Sequence, residues 1–369
     1  MTIIFRRFVR AGVIGIAVGL VSACGGGNSA TIAQISSYPP MANDNPPGAS
    51  PLAISTAKAL GRGVNFGNMF DAPTEGAWGL RLESDFFAKA KAGGFSSVRL
   101  PVRWSNHADA KAPFLIDAGF ADRVEAAVDQ GLNTGFYLML NMHHYRQLDG
   151  DTLDAGERRV DDAILEERFL AMWEQIAQRY KDKSDKLVFE IYNEPHGRQT
   201  SDKWNDLVAR AVNVIRKSNP TRPIVIGPIQ WNNAKELRNL RLPNDANLIA
   251  TVHNYEPFKF THQGAEWASP PMPTGITCCT TEQKNQIIDP LETASAWASA
   301  KRYPVYLGEF GAYSKADMAS RVTFTRIMRD EAELRDISWG YWEFASSFGV
   351  YDPISKTWRS ELKDALLGK

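Results

Sequence analysis

The sequence predicts a parallel β/α barrel of the TIM type, folded as one domain over residues 52–369. Three observations lead there. Short apolar runs alternate with amphipathic helical stretches, which is the order of a parallel sheet. Eight such runs fit in the roughly 310 residues that follow Leu60, the size of an eight-unit barrel. The polar residues of these runs collect at their C-terminal ends, where a barrel carries its reacting groups. A doubly wound open sheet is the competing arrangement, but no Gly-rich phosphate turn follows the first strand candidate.

The chain opens on a targeting segment. Arg6, Arg7 and Arg10 precede an apolar run, Ala11 to Val21, too short to span a bilayer as a stable helix. Val21-Ser22-Ala23-Cys24 and three glycines come next. Residues 1–24 resemble the signal and lipobox of bacterial lipoproteins, in which the cysteine becomes the lipidated N-terminus; the alternative is an ordinary signal peptide with a chance cysteine. Either implies export, to a lipid-anchored place at the outer membrane or to the periplasm or medium. Residues 25–51 read as a linker, because Pro39, Pro40, Pro46, Pro47 and Pro51 interrupt Ser, Ala and Asn, a composition that buries no core.

Strand candidates are residues 63–67, 97–102, 134–142, 187–192, 224–229, 248–253, 305–308 and 337–342. Helical patterns fall at residues 84–92 (stopped by Gly93-Gly94), 117–130, 165–181, 202–217, 282–300 and 317–334. With 42 Lys+Arg against 42 Asp+Glu, the formal net charge is zero, which argues against nucleic acid as a partner. Ten Trp and eleven Tyr suit apolar sugar faces, though most belong to a core. Three cysteines make no disulfide scaffold; adjacent Cys278 and Cys279 either form a strained ring or stay free.

Two strands have the same grammar. Leu187 to Pro195 and Tyr303 to Gly311 are apolar runs that deliver Glu194 and Glu309 at their ends. Two acids at strand ends point to hydrolysis of a glycoside by a carboxylate pair. The other strand ends agree: Asn65 and Asn68, Arg99, His143 and His144, Asn193, His253 and Tyr255, and Trp342. Only the fifth strand ends in nothing of this kind. His143-His144 as metal ligands are disfavoured, since neighbours on a strand point to opposite faces and no Cys/His spacing accompanies them. No cofactor or metal is expected. Trp78, Trp104, Trp231 and Trp267 are platforms or packing, with Trp267 the strongest platform candidate. Glu190, inside its strand, reads as a structural hydrogen-bonding group, and Asn65 is either that or a sugar ligand.

Asn193-Glu194-Pro195 together with Gly308-Glu309-Phe310-Gly311 resemble the two acid motifs of glycoside hydrolase family 5, and matching stretches run from about Leu60 to Trp358. Residues 61–68, 75–79, 260–267 and 348–352 are similar to the branch of endo-β-1,4-glucanases that also act on mannans. The resemblance implies Glu194 as general acid/base and Glu309 as nucleophile, with retention of configuration. It implies that Asn193 holds the sugar 2-hydroxyl, Arg99 and Tyr255 tend Glu309, His253 bonds Glu194, and His143, His144 and Trp342 bind the sugar. Asp71 stands where that branch has Glu, one methylene shorter toward a sugar hydroxyl. The substrate implied is a β-1,4-glucan, with mannan, mixed-linkage glucan or xyloglucan as alternatives, and the enzyme is expected to be a monomer. A non-catalytic polysaccharide-binding lipoprotein is the reading from another class; it would expect one acid to be missing.

Overall fold

The computed structural model describes residues 46–154, 157–268 and 270–368. Residues 1–24, read above as a targeting segment, with Cys24, and residues 25–45 of the expected linker lie outside them.

Eight strands pair in chain order, all parallel: β1 (Arg62–Asn65), β2 (Ser97–Leu100), β3 (Tyr137–Asn141), β4 (Leu187–Glu190), β5 (Ile224–Ile226), β6 (Leu248–His253), β7 (Val305–Phe310) and β8 (Ser338–Tyr341). The pairing of β8 with β1 closes the barrel and rules out the open sheet. Several strands end earlier than their apolar runs. Phe66, Val102, Met142, Ile191 and Tyr192 continue those runs and stay buried, and Phe66 N and Ile191 N still bond the Arg99 and Val225 carbonyls of the neighbouring strands at 2.9 and 3.1 Å.

Helices cover the outside of the barrel. Leu165–Arg179 buries Phe169, Leu170, Trp173 and Ile176 along one face, the spacing of a half-buried helix. Asp117, Thr200, Thr280 and Asp317 each accept a backbone N–H in the first turn of their helix, which satisfies donors that have no partner inside it. Gly94 ends the helix Phe86–Gly93 at φ 106°, a conformation that costs glycine little.

Two departures from the sequence reading matter. The folded domain starts before residue 52, at a helix α1 (Pro51–Leu60) capped by Ser50, whose Oγ accepts from Ala53 N at 3.1 Å. Pro51, counted in the linker, is here the first helical residue, where its missing N–H costs nothing. Ala53, Ala57 and Leu60 pack against Met139, Val188, Val225, Ile249 and Tyr306 and plug the barrel at the N-terminal ends of its strands. The second departure follows β5, where a short turn, Ile229–Asn232, and a 3₁₀ stretch, Ala234–Asn239, replace the covering helix of a regular unit.

Strand periodicity then sorts the interior. Val188, two residues before Glu190, lies in the apolar plug, while Glu190 lies in the polar layer one step toward the mouth. Arg99 and Asn65 join Glu190 there.

Candidate active site

The polar layer is built on Arg99. Its guanidinium is buried and offers five N–H donors in a fixed fork. Nε and Nη2 donate to the two carboxylate oxygens of Glu190 at 2.5 and 2.9 Å. Nη1 donates to Asn65 Oδ1 at 2.8 Å and to Glu309 Oε1 at 2.7 Å, and Nη2 donates also to Asn193 Oδ1 at 2.7 Å. Asn65 in turn points its Nδ2 at the carbonyls of Gly308, Gly340 and Tyr341. It is therefore a support for Arg99, which settles its two readings in favour of structure. Glu190, similarly, is the structural partner that the sequence indicated.

Glu309 lies inside β7, where the register with β6 slips and sets His253 opposite it. Such an irregularity re-aims a side chain. The flanking glycines answer to close neighbours: a Cβ on Gly308 would lie 2.8 Å from His253 Nε2, and one on Gly311 would lie 2.0 Å from the Trp342 carbonyl oxygen. Tyr255 donates its hydroxyl to Glu309 Oε2 at 2.9 Å.

Glu194 lies four residues beyond β4, with φ 52°. Its Oε1 is 2.7 Å from His253 Nδ1, and a carboxylate oxygen of Glu194 lies within 4.8 Å of one of Glu309. The two acids have unequal surroundings. Burial raises Glu194 to about 7, with Arg99 opposing from a distance. Burial also raises Glu309, but His253, Arg99 and the Tyr255 hydrogen bond pull it back. Arg99 and Tyr255 bond Glu309 directly and leave Glu194 alone, and such donors favour the ionised form of Glu309. Burial lowers the His253 imidazole to about 4, which makes it neutral at neutral pH.

Around this pair the walls are aromatic. His143 is stacked with Trp342, ring centroids 5.9 Å apart, and Asn141 lies 3.2 Å from its Nδ1. His144, half-buried, meets the edge of Trp78. On another side Trp267, 58 % exposed, packs on Tyr313 and Phe348, close to Tyr255 and His262. Trp231, 52 % exposed, stacks on His196 at 4.7 Å. Trp104 is core.

Three expectations are corrected. His143 and His144 do not point to opposite faces, because both follow the end of β3 and His144 has φ 53°; their rings are 4.2 Å apart. Asp71 does not reach toward a sugar. It is fully buried, and its oxygens accept the amides of Asn68 and Met69 at 3.0 and 2.9 Å, so it shapes the turn that carries Asn68. The fifth strand is not silent: the turn after it brings Trp231 beside His196 and Asn232 beside His253. Its signal was a Gln-Trp-Asn-Asn run just past an apolar strand. Burial raises Glu343, adjacent to Trp342, to about 8, and it accepts the Ser346 amide at 2.9 Å. Cys278 and Cys279 are joined by a disulfide, one of the two states left open.

Among the described residues, two sets of side chains have the spacing for a cation: Asp71 with His143 and His144, and Glu194 with His253 and Glu309. Internal hydrogen bonds already use both Asp71 oxygens, with Arg103 nearby, and Arg99 bonds Glu309 directly. Such surroundings disfavour a cation at either place.

A family model for cellulase, glycosyl hydrolase family 5, matches residues 58–347. The chain belongs to glycosyl hydrolase family 5. Endoglucanase H of Acetivibrio thermocellus is 36% identical over 336 residues, 87% of this chain and 34% of that protein. Cellulase/esterase CelE of the same organism is 30% identical over 82% of this chain and 37% of its own length. The chain thus spans about a third of these two relatives. Solved structures of Thermotoga maritima Cel5A with cellobiose and with mannotriose superpose with a TM-score of 0.81 in each case, at 42% and 41% identity, covering 86% of this chain and all of theirs.

In this family 5 site the pH dependence has a definite sign. kcat/KM on a glycoside should fall as pH rises through about 7, where Glu194 gives up its proton, and fall again in acid, where Glu309 takes one up. On an activated aryl glycoside, which needs no proton to leave, the wild-type chain should lose the alkaline limb. A limb that survived would put the titrating proton elsewhere.

Proposed function

We propose that the chain is a monomeric, retaining, endo-acting β-1,4-glucanase, with Glu194 as general acid/base and Glu309 as nucleophile. The observation that carries this reading is the short separation of two carboxylates of unequal proton affinity. A retaining pair lies about 5–5.5 Å apart, whereas an inverting pair needs roughly 6.5–9.5 Å to seat a water.

Glu194 protonates the glycosidic oxygen as the bond to the anomeric carbon breaks. Glu309 attacks that carbon from the other face and forms a covalent glycosyl ester. Glu194, now ionised, takes a proton from water, which attacks the anomeric carbon of the ester and frees the Glu309 carboxylate. Asn193 has its Oδ1 fixed by Arg99 and its side chain bonded to Glu194, and it offers an amide N–H to the sugar 2-hydroxyl, a contact that strengthens in the transition state. Trp342, backed by His143, offers a face to the sugar ring.

β-1,4-Glucan is the preferred substrate in this reading, and mannan or glucomannan the second. The relatives called endoglucanases support the first, and the Thermotoga maritima Cel5A complexes with cellobiose and mannotriose support the pair. Soluble β-1,4-glucan, barley-type mixed glucan, glucomannan and xylan should be compared by kcat/KM, with the first-formed product read by proton NMR. Glucan should be fastest, xylan poor, and the new reducing end β. An α product, or xylan as best substrate, contradicts the proposal.

We propose in addition that Cys24 is lipidated, on the strength of Val21-Ser22-Ala23-Cys24. More than one acyl chain is needed for stable anchoring. The full-length chain expressed in a bacterium should fractionate with membranes, and Cys24→Ala should release it; equal solubility of the two forms argues for an ordinary signal peptide.

A further inference from the structure

The turn after β5 is the part of the site that the reaction scheme leaves unused. Gln230, Trp231 and Asn232 each have φ 58°, three consecutive left-handed residues without a glycine among them. L-residues visit this region singly, and Asn tolerates it best. A strained run of this kind persists where its surroundings hold it, and it marks a functional place. Here the neighbouring Asn233 bridges to His253 at the end of β6, and Trp231 N bonds the Pro195 carbonyl at 3.3 Å.

The turn reaches Glu194 by two routes. Trp231 stacks on His196, whose Nδ1 lies 2.6 Å from the Glu194 carbonyl oxygen. Asn232, fully buried, brings its Nδ2 to 3.2 Å from His253 Nε2, while His253 Nδ1 faces Glu194 Oε1 at 2.7 Å. The second route decides a proton. Two carboxylate oxygens flank Nδ1, Glu194 Oε1 and Glu309 Oε2, the latter at 3.6 Å. Acceptors on that side favour the hydrogen on Nδ1. Nε2 must then be a bare acceptor, and an amide N–H is the group to satisfy it. A carboxylate in the same place would draw a second proton onto the ring; a neutral amide does not. The remaining charged or titratable groups bearing on the ring are Arg99, Glu190 and His143.

We propose that Asn232 is a positioning residue that fixes His253 as the neutral Nδ1–H tautomer, so that Glu194 accepts at Oε1 and presents its acidic proton from the other oxygen. This rests on the acid/base role given to Glu194 above. With the opposite tautomer a bare Nδ1 would take the Glu194 proton in a hydrogen bond, pointing it away from the glycosidic oxygen, and would set a lone pair against Glu309.

The test has a spectroscopic and a kinetic arm. In full-length protein with ¹⁵N-labelled histidine, the resonances that vanish in His253→Gln identify the ring. At neutral pH they should show a protonated Nδ1 and a bare Nε2, and this should be lost or averaged in Asn232→Ala. A wild-type ring with its hydrogen on Nε2, or on both nitrogens, overturns the proposal whatever the variants do. In the kinetic arm, Asn232→Ala should lower kcat/KM on β-1,4-glucan by roughly ten- to a hundredfold and on an activated aryl glycoside by less than about threefold, since only the former needs the acid. Asn232→Asp should let His253 hold a second proton; the imidazolium would keep Glu194 ionised and move the alkaline limb of kcat/KM to lower pH. Equal losses on both substrates in a folded variant, or an unmoved limb in Asn232→Asp, contradict it. Failure of the wild-type chain to cleave any β-1,4-glucan would instead strike the functional reading, and the tautomer would still be read.

Discussion

Everything at the mouth of the barrel depends on one buried guanidinium. Arg99 ties β2 to β1 through Asn65, to β4 through Glu190, to the segment beyond β4 through Asn193, and to β7 through Glu309. Taking such a charge out of water costs several kcal/mol unless it is paired and its donors are satisfied. Glu190 supplies the pairing from two atoms and frees the other side of the fork for Glu309. At an effective dielectric of about 20, two unit charges 4 Å apart interact by about 4 kcal/mol. On that scale a direct contact with Arg99 favours the ionised form of Glu309.

The division of labour between the two acids follows from this asymmetry. Arg99 carries one positive charge and bonds two carboxylates, so the cluster is already negative before Glu194 is counted. Glu194 has the Glu190 charge against it and a neutral imidazole as its nearest partner. Glu194 therefore lacks the direct donors, Arg99 and Tyr255, that favour the ionised form of Glu309. The left-handed residue at Glu194 is the local cost of bringing this second acid round to face the first.

Much of this was legible in the chain. Apolar runs gave the eight strands, and the two Glu-bearing strand ends gave the pair, because a residue at the end of a buried strand has few places to go. Arg99, Asn193, His253 and Tyr255 were found for the same reason. What escaped depends on geometry that periodicity does not carry. α1 was hidden because its Pro51 reads equally as linker. His143 and His144 were placed by strand alternation, a rule that stops where β3 stops. Asp71 looks like a sugar ligand in sequence, yet two backbone amides take its oxygens. Asn232 sits past a strand with nothing chemical at its end, and only a left-handed turn brings it back to the site.

The account stands or falls on Glu309 being the atom-bearing nucleophile that Arg99 keeps ionised. An activated 2-deoxy-2-fluoro β-cellobioside forms the glycosyl ester readily and releases it slowly, so intact-protein mass spectrometry followed by peptide mapping reads the attachment site. The account predicts one added fluorocellobiosyl group per chain, carried by Glu309. A label on Glu194 or Glu190, or turnover of the reagent with no adduct and an inverted product, would contradict it.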